Sequence, residues 1–265
     1  DILHTHLDRP HIYGTIAARL AGTPYVIHTR HGQADELSAR QRRLIRWVTH
    51  WTDRVVCVSR DAADLAAADH GIPSSQISTI WNGVDLERFS ASRVDPHGPL
   101  VAVARLDPVK DIANLLRATA IVARSDADLR VEIAGEGPCR EELERLTAEL
   151  ELVDRVKFLG TVDDVPGLLS RASMFVLPSQ TEGIALCILE AQASGIPVIA
   201  TRVGGNIEIV SDGETGLLVP SRNPGALAAA IERLRQDCEL GQRLGRAGRL
   251  RIESDFNVAT MVRNY

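Results

Sequence analysis

Short apolar strands alternate with helical stretches from one end of this chain to the other. Strand patterns fall at 1–6, 24–29, 54–58, 77–81, 100–105, 129–134, 155–159, 173–177, 197–200 and 216–219. Helical periodicity fills the intervals at 11–22, 38–51, 60–70, 110–124, 139–150, 164–171, 186–195, 224–236, 239–252 and 256–265. Alternation of this kind commits a chain to right-handed crossovers and to parallel sheets covered on both faces. The fold class is therefore α/β, with doubly wound, Rossmann-like sheets.

One segment breaks the rhythm. Residues 85–99 are polar and carry Pro, Gly and Ser, and they read as a linker. Residues 98–265 are long enough for a complete doubly wound domain, whereas residues 1–97 carry only about four strand patterns and resemble the back half of another. The chain opens at Asp1 inside a strand pattern, its only methionines are Met174 and Met261, and it stops at Tyr265 inside a helical pattern. A fragment lacking the start of its N-terminal domain is expected.

Composition removes several classes. With 45% hydrophobic and 25% charged residues and a net charge of −5, the chain is ordinary globular material with no basic stripe for nucleic acid. No apolar run reaches the roughly 20 residues that span a bilayer. Cys57, Cys139, Cys187 and Cys238 are far apart and show no metal spacing. They are expected to be buried free thiols in a reducing, cytoplasmic compartment.

The chemistry concentrates in TEGIALCILEAQASG, residues 181–195. Glu182 falls in the loop after strand 173–177, and Glu190 inside the helix that follows. Ligands of open α/β sheets bind outside the carboxyl ends of strands. The N–H groups from Gly183 to Leu186 form a helix N-terminus suited to a phosphate, and Gly183 lets a ligand approach the backbone. The plainer alternative makes Glu182 a partner of the helix dipole and Glu190 a solvated residue. Strand 100–105 runs straight into Arg105, a fork for phosphate oxygens, and Lys110, a point charge. Glycine turns follow two more strands, at Gly135-Glu136-Gly137 and Gly204-Gly205.

The order of these elements resembles that of the retaining glycosyltransferases of family 4, which have the GT-B fold of two Rossmann-like domains. The likeness rests on Asn82-Gly83-Val84-Asp85, on Arg105 and Lys110 as R-x4-K, and on Glu182 and Glu190 as E-x7-E. The resemblance implies that Arg105 and Lys110 hold the diphosphate of a nucleotide-sugar donor, UDP or GDP. It implies that Glu190 binds the nucleotide ribose and that Glu182 contacts the donor sugar. The backbone of Ile184, Ala185 and Leu186 would cradle a phosphate, and Phe158 and Leu159 would frame the base. His31, and more weakly His6, would face the sugar; His4 and His28 are read as structural, on the opposite faces of their strands. Ala104, Asp111, Ile184 and Ala185 depart from the usual family residues. Family members keep the anomeric configuration, a front-face displacement is favoured, and Glu182 is not assigned as a nucleophile.

The resemblance also implies no metal and no cofactor. Asp126-Ala127-Asp128 spells DxD, but it precedes a strand and reads as a polar turn. In helix 38–51, Leu44, Trp47, Val48 and Trp51 share one face, while Arg40, Arg42, Arg43 and Arg46 lie off it. The favoured reading buries both tryptophans in the core. The alternative is contact with anionic lipid on the inner membrane face, which would suit a lipid-linked glycan acceptor. Two rivals share the donor site: a sugar-nucleotide epimerase of the same fold, and an inactive nucleotide-sugar-binding fragment.

Overall fold

The computed structural model describes residues 1–32, 38–91 and 94–265. It divides into two compact units. One comprises Asp1–Asn82, Glu182–Ile184 and Met261–Tyr265; the other comprises Gly83–Thr181 and Ala185–Thr260.

The first unit carries β1 (Ile2–His6), α1 (Asp8–Leu20), β2 (Tyr25–Arg30), α2 (Ala39–Thr49), β3 (Arg54–Cys57), α3 (Arg60–His70) and β4 (Ile77–Thr79). The strands are all parallel and lie in the order β1-β2-β3-β4. Val26, Val55 and Cys57 are completely buried, as strands covered on both faces require. Ser38 and Gln41 form a reciprocal capping box at the start of α2. Ser59 caps α3, and Gly71 ends that helix in the left-handed conformation, φ 61°.

The second unit has six parallel strands: β5 (Leu100–Val103), β6 (Val131–Ala134), β7 (Val156–Gly160), β8 (Met174–Leu177), β9 (Val198–Thr201) and β10 (Leu217–Val219). Their order is β10-β9-β8-β5-β6-β7. From β5 the chain winds outward through β6 and β7, then returns to lay β8 on the other side of β5. That reversal makes the carboxyl ends of β5 and β8 a topological switch point. The helices are α4 (Ile112–Val122), α5 (Arg140–Glu149), α6 (Val165–Ser170), α7 (Leu186–Ala193), α8 (Asn206–Ile209), α9 (Pro224–Gln236) and α10 (Cys238–Asp255), followed by α11 (Val258–Asn264). One core joins sheet and helices through Leu100, Ile112, Leu115, Ile133, Val176, Leu227 and Ile231. Gly245 of α10 packs so tightly that a Cβ there would lie 2.1 Å from Gly195 O, just past the end of α7.

Several expectations need correcting. The helix read from 110 begins at Ile112, because Pro108–Lys110 forms a 3-10 turn and Asp111 takes a left-handed φ of 47°. The one-turn α8 was not anticipated. Trp47 and Trp51 are not core residues: they are 49% and 39% exposed, and Leu44 is 39% exposed. The packed face of α2 is Ile45, Val48 and Thr49, with Ile45 and Val48 meeting Ile12 and Ile16 of α1. Of the four free cysteines only Cys57 is buried; Cys139 and Cys187 are half-buried and Cys238 is exposed. The Asp126 to Asp128 segment, by contrast, is the polar turn it was read as, with Asp126 accepting from the Asp128 N–H at 3.0 Å and pairing with Arg235 at 2.7 Å.

Candidate functional site

In the second unit, Arg105 and Lys110 leave the end of β5. Arg105 is 72% exposed and its Nε lies 3.5 Å from Asp107 Oδ2. Their loop is stitched to its neighbours. Leu106 N–H donates to Glu136 O at 2.9 Å, and Leu106 O accepts from Cys139 N–H at 2.9 Å. The Gly135–Gly137 turn lies against this segment so closely that side chains are excluded. A Cβ on Gly135, φ 136°, would stand 1.9 Å from Ala104 O. The turn is tied to the end of β7 as well, through Gly135 N–H to Gly160 O at 2.7 Å.

The other flank of the switch point is the loop after β8. Gln180 N–H donates to Val109 O at 2.8 Å, which joins the two loops directly. The Gln180 side chain hydrogen-bonds Asp111 and accepts from Arg222. Burial raises the Asp111 carboxyl above its usual range, and the Gln180 bond opposes that rise. Thr201 Oγ1, at the end of β9, donates to Ser179 O at 2.6 Å. Three adjacent strand ends thus hold one another in place.

Helix α7 begins at Leu186 after Ala185, and no side chain caps it. The Ile188 and Leu189 N–H groups donate to Ala185 O at 3.0 and 3.4 Å, and the helix dipole leaves partial positive charge at this end. Glu190 lies one turn in and is half-buried. Burial lifts its carboxyl above the ordinary value, while the Arg88 guanidinium pulls it back. Phe158 is half-buried at β7, with the Arg140 guanidinium carbon 4.9 Å from its ring centre. Leu159 beside it is also half-buried.

Glu182, Gly183, Ile184, His6 and His31 belong to the first unit. Glu182 is 8% exposed. Gly183 is required by the protein's own backbone, a reason different from the ligand approach expected: a Cβ there would lie 2.4 Å from His31 O and 2.6 Å from Gly32 Cα. His6 Nδ1 and His31 Nε2 are 2.8 Å apart. Burial lowers the His31 imidazole pKa, and neighbouring His6 lowers it further. His4 departs from the expectation, because residues two apart on a strand share a face. Its ring centre is 4.4 Å from that of His6, and its Nε2 is 2.8 Å from Thr29 Oγ1. His28 is structural as read, stacked on His11 at 3.8 Å with its Nδ1 3.1 Å from Thr5 Oγ1.

The site residues that sequence reasoning missed are Gln180, Asp111 and Arg222, and Arg88, which stood in the presumed linker. Only the position of Gln180 after a strand end hinted at a role.

Comparison with known proteins decides the family. The model described as "Glycosyl transferases group 1" matches residues 86–251, and that described as "Glycosyltransferase Family 4" matches residues 1–88. The chain belongs to the family 4 glycosyltransferases. It is 30% identical to the Escherichia coli UDP-Gal:alpha-D-GlcNAc-diphosphoundecaprenol alpha-1,3-galactosyltransferase, over 99% of this chain and 73% of that protein. It is 31% identical to a Mycobacterium tuberculosis glycogen synthase, over 85% of this chain and 56% of that protein. Among solved structures, Anabaena HepE in complex with UDP superimposes with a TM-score of 0.90 at 23% identity, covering 99% of this chain and 76% of that one. Sucrose-phosphate synthase from Thermosynechococcus elongatus gives 0.86 at 27% identity, covering 99% and 71%. The two parallel-sheet units of this family 4 glycosyltransferase are those of the GT-B fold.

Proposed function

We propose that this glycosyltransferase moves a sugar, with retention of configuration and without a metal, from a nucleotide diphosphate donor to the hydroxyl of a glycan or lipid-linked glycan. UDP and GDP are the donor nucleotides to test first. The observation that carries the reading is the placement of two cations, a helix N-terminus and the half-buried carboxylate of Glu190 around the β5/β8 switch point. Arg105 and Lys110 are assigned the diphosphate. Their charge offsets what accumulates on the leaving group as the glycosidic bond lengthens. The N–H groups at Ala185 and Leu186 are assigned a phosphate oxygen, and Glu190 the ribose hydroxyls. The half-buried Phe158 and Leu159 offer an apolar edge for the base. Glu182, Ile184, His31 and His6, on the first unit, are assigned the sugar side, on residue identity and family resemblance. With a good leaving group already in the donor, these groups need only position and polarise. A reducing, cytoplasmic location fits the four free cysteines.

Thermal melts against UDP, GDP, ADP and their sugar conjugates test the donor site, because a ligand that binds the folded state raises the midpoint by mass action. One nucleotide should raise the midpoint of the wild type and leave Glu190→Ala unmoved. Cooperative melting with no shift from any of them refutes the donor assignment. Retention is read from the anomeric coupling of the product, and metal independence from turnover in excess chelator.

A further inference from the structure

The α1–α2 face of the first unit is built unlike the rest of the molecule. Trp47 and Trp51 project from α2 and its C-terminal turn, 49% and 39% exposed, with ring centres 4.3 Å apart. Beside them, α1 presents Tyr13 at 72% and Leu20 at 85% exposed. Ile16, Arg19, Leu20, Trp47 and Trp51 line a groove of about 360 Å³. Such apolar exposure on a folded surface marks an interaction site.

The charges around it say what kind. Residues 38–52 contain Arg40, Arg42, Arg43 and Arg46 and no acidic residue, in a chain whose net charge is −5. All four arginines are exposed. Arg40, Leu44, Trp47 and Trp51 follow i, i+4, i+7, i+11 spacing, so they form one stripe, and Arg43 stands one turn before Trp47 on its flank. Arg19 is committed elsewhere, to Asp53 at 2.7 Å and to backbone carbonyls. Tryptophan and arginine together suit the boundary where acyl chains meet phosphates: the indole takes an apolar body and a polar N–H into the interface, and guanidinium pairs with phosphate.

We propose that this face docks the protein on an anionic phospholipid bilayer, with α2 lying in the interface plane. Trp47, Trp51 and Leu20 enter the headgroup–acyl boundary, and Arg40 and Arg43, on and beside the tryptophan stripe, engage lipid phosphates. The proposal goes beyond the donor site and does not depend on it, since every group it uses lies on α1 and α2 or the turn after α2.

The test is co-sedimentation and tryptophan emission of this chain with vesicles of phosphatidylcholine alone and of equimolar phosphatidylcholine and phosphatidylglycerol. Binding with a blue-shifted emission is expected on the mixed vesicles and little on the neutral ones. Arg40→Gln/Arg43→Gln should weaken binding by about 25-fold, roughly fivefold for each arginine. Trp47→Ser/Trp51→Ser should weaken it by about fivefold or more and abolish the blue shift, since Trp81 lies apart from this face beneath Arg60. If that variant fails to fold, the arginine variant and the wild-type emission shift still decide. No binding to mixed vesicles, as a protein partner on this face would leave it, overturns the proposal. So does binding that the tryptophan variant leaves unchanged.

Discussion

Gly137→Ala should cost this protein stability and donor affinity together, and the structure says why. A Cβ on Gly137 would lie 2.4 Å from Leu106 O, 2.6 Å from Leu106 C and 2.7 Å from Leu106 N. These are backbone atoms, so no side chain can swing aside. Leu106 is moreover pinned on both sides by its bonds to Glu136 and Cys139. Reaching ordinary contact distance requires a displacement of roughly 1 Å, and it falls on the residue next to Arg105. Overpacking of this kind costs about 1–3 kcal/mol. For a unit of this size that lowers the melting midpoint by about 2–12 °C. If Arg105 then loses a charge-assisted hydrogen bond to the diphosphate, affinity falls a further ten- to hundredfold, roughly. Calorimetric titration with the nucleotide that stabilises the wild type, alongside thermal melts, measures both. Two further glycines serve as controls. Gly245→Ala meets Gly195 O at 2.1 Å, beyond the far end of α7, and should lower the midpoint with affinity unchanged. Gly225→Ala finds only Asn223 Oδ1 at 3.6 Å in the first turn of α9, and should be neutral or stabilising. A Gly137→Ala protein that melts low but binds nucleotide like the wild type refutes the view that this turn positions Arg105.

Three other outcomes are expected. Burial, neighbouring His11 and Arg30 push the His28 pKa from 6.5 down to about 2, so the unfolded chain takes up a proton that the folded one refuses. Stability from this source is complete above pH 6.5 and is lost downward at up to about 1.4 kcal/mol per pH unit; in melts across pH 4–8, His28→Gln should flatten that slope, and an unchanged slope would exclude His28 as its source. Glu190 has the opposite sign: its raised pKa means that stability falls as pH climbs from 4.5, the unfolded value, through the folded one. Glu190→Gln should therefore melt higher than wild type at pH 7 and bind nucleotide more weakly, whereas a lower midpoint would show that the ionised carboxylate stabilises the fold. Gln180→Ala removes the link between Asp111 and Arg222, and donor affinity should drop by about three- to tenfold through loosening of the Lys110 loop; unchanged affinity in titration calorimetry would make that link ornamental.

The central strands were legible because parallel strands covered on both faces read as unbroken apolar runs, as Met174–Leu177 and residues 198–200 do. Helix α8 was not, since four residues make one turn and one turn has no period. Helix α2 was legible as a helix and misread in orientation. It carries two apolar faces, Ile45–Val48 and Leu44–Trp47–Trp51, and only the neighbouring α1 determines which is buried. The placement of Arg105 and Lys110 after a strand and of Glu190 in a helix after another was legible, because strand ends and helix starts announce themselves locally. The groups that brace them were not. Gln180 meets Arg222 across 42 residues of sequence, a pairing that no local pattern encodes.

The short contact between His6 and His31 has a consequence for polarity. A bond between Nδ1 of one neutral imidazole and Nε2 of the other contains a single hydrogen. If His6 supplies it, the outer nitrogen of His6 bears a lone pair and the outer nitrogen of His31 bears a proton; if His31 supplies it, both reverse. The two rings therefore act as one element with an acceptor at one end and a donor at the other. The single hydrogen between the rings decides which ring carries the acceptor nitrogen and which the donor.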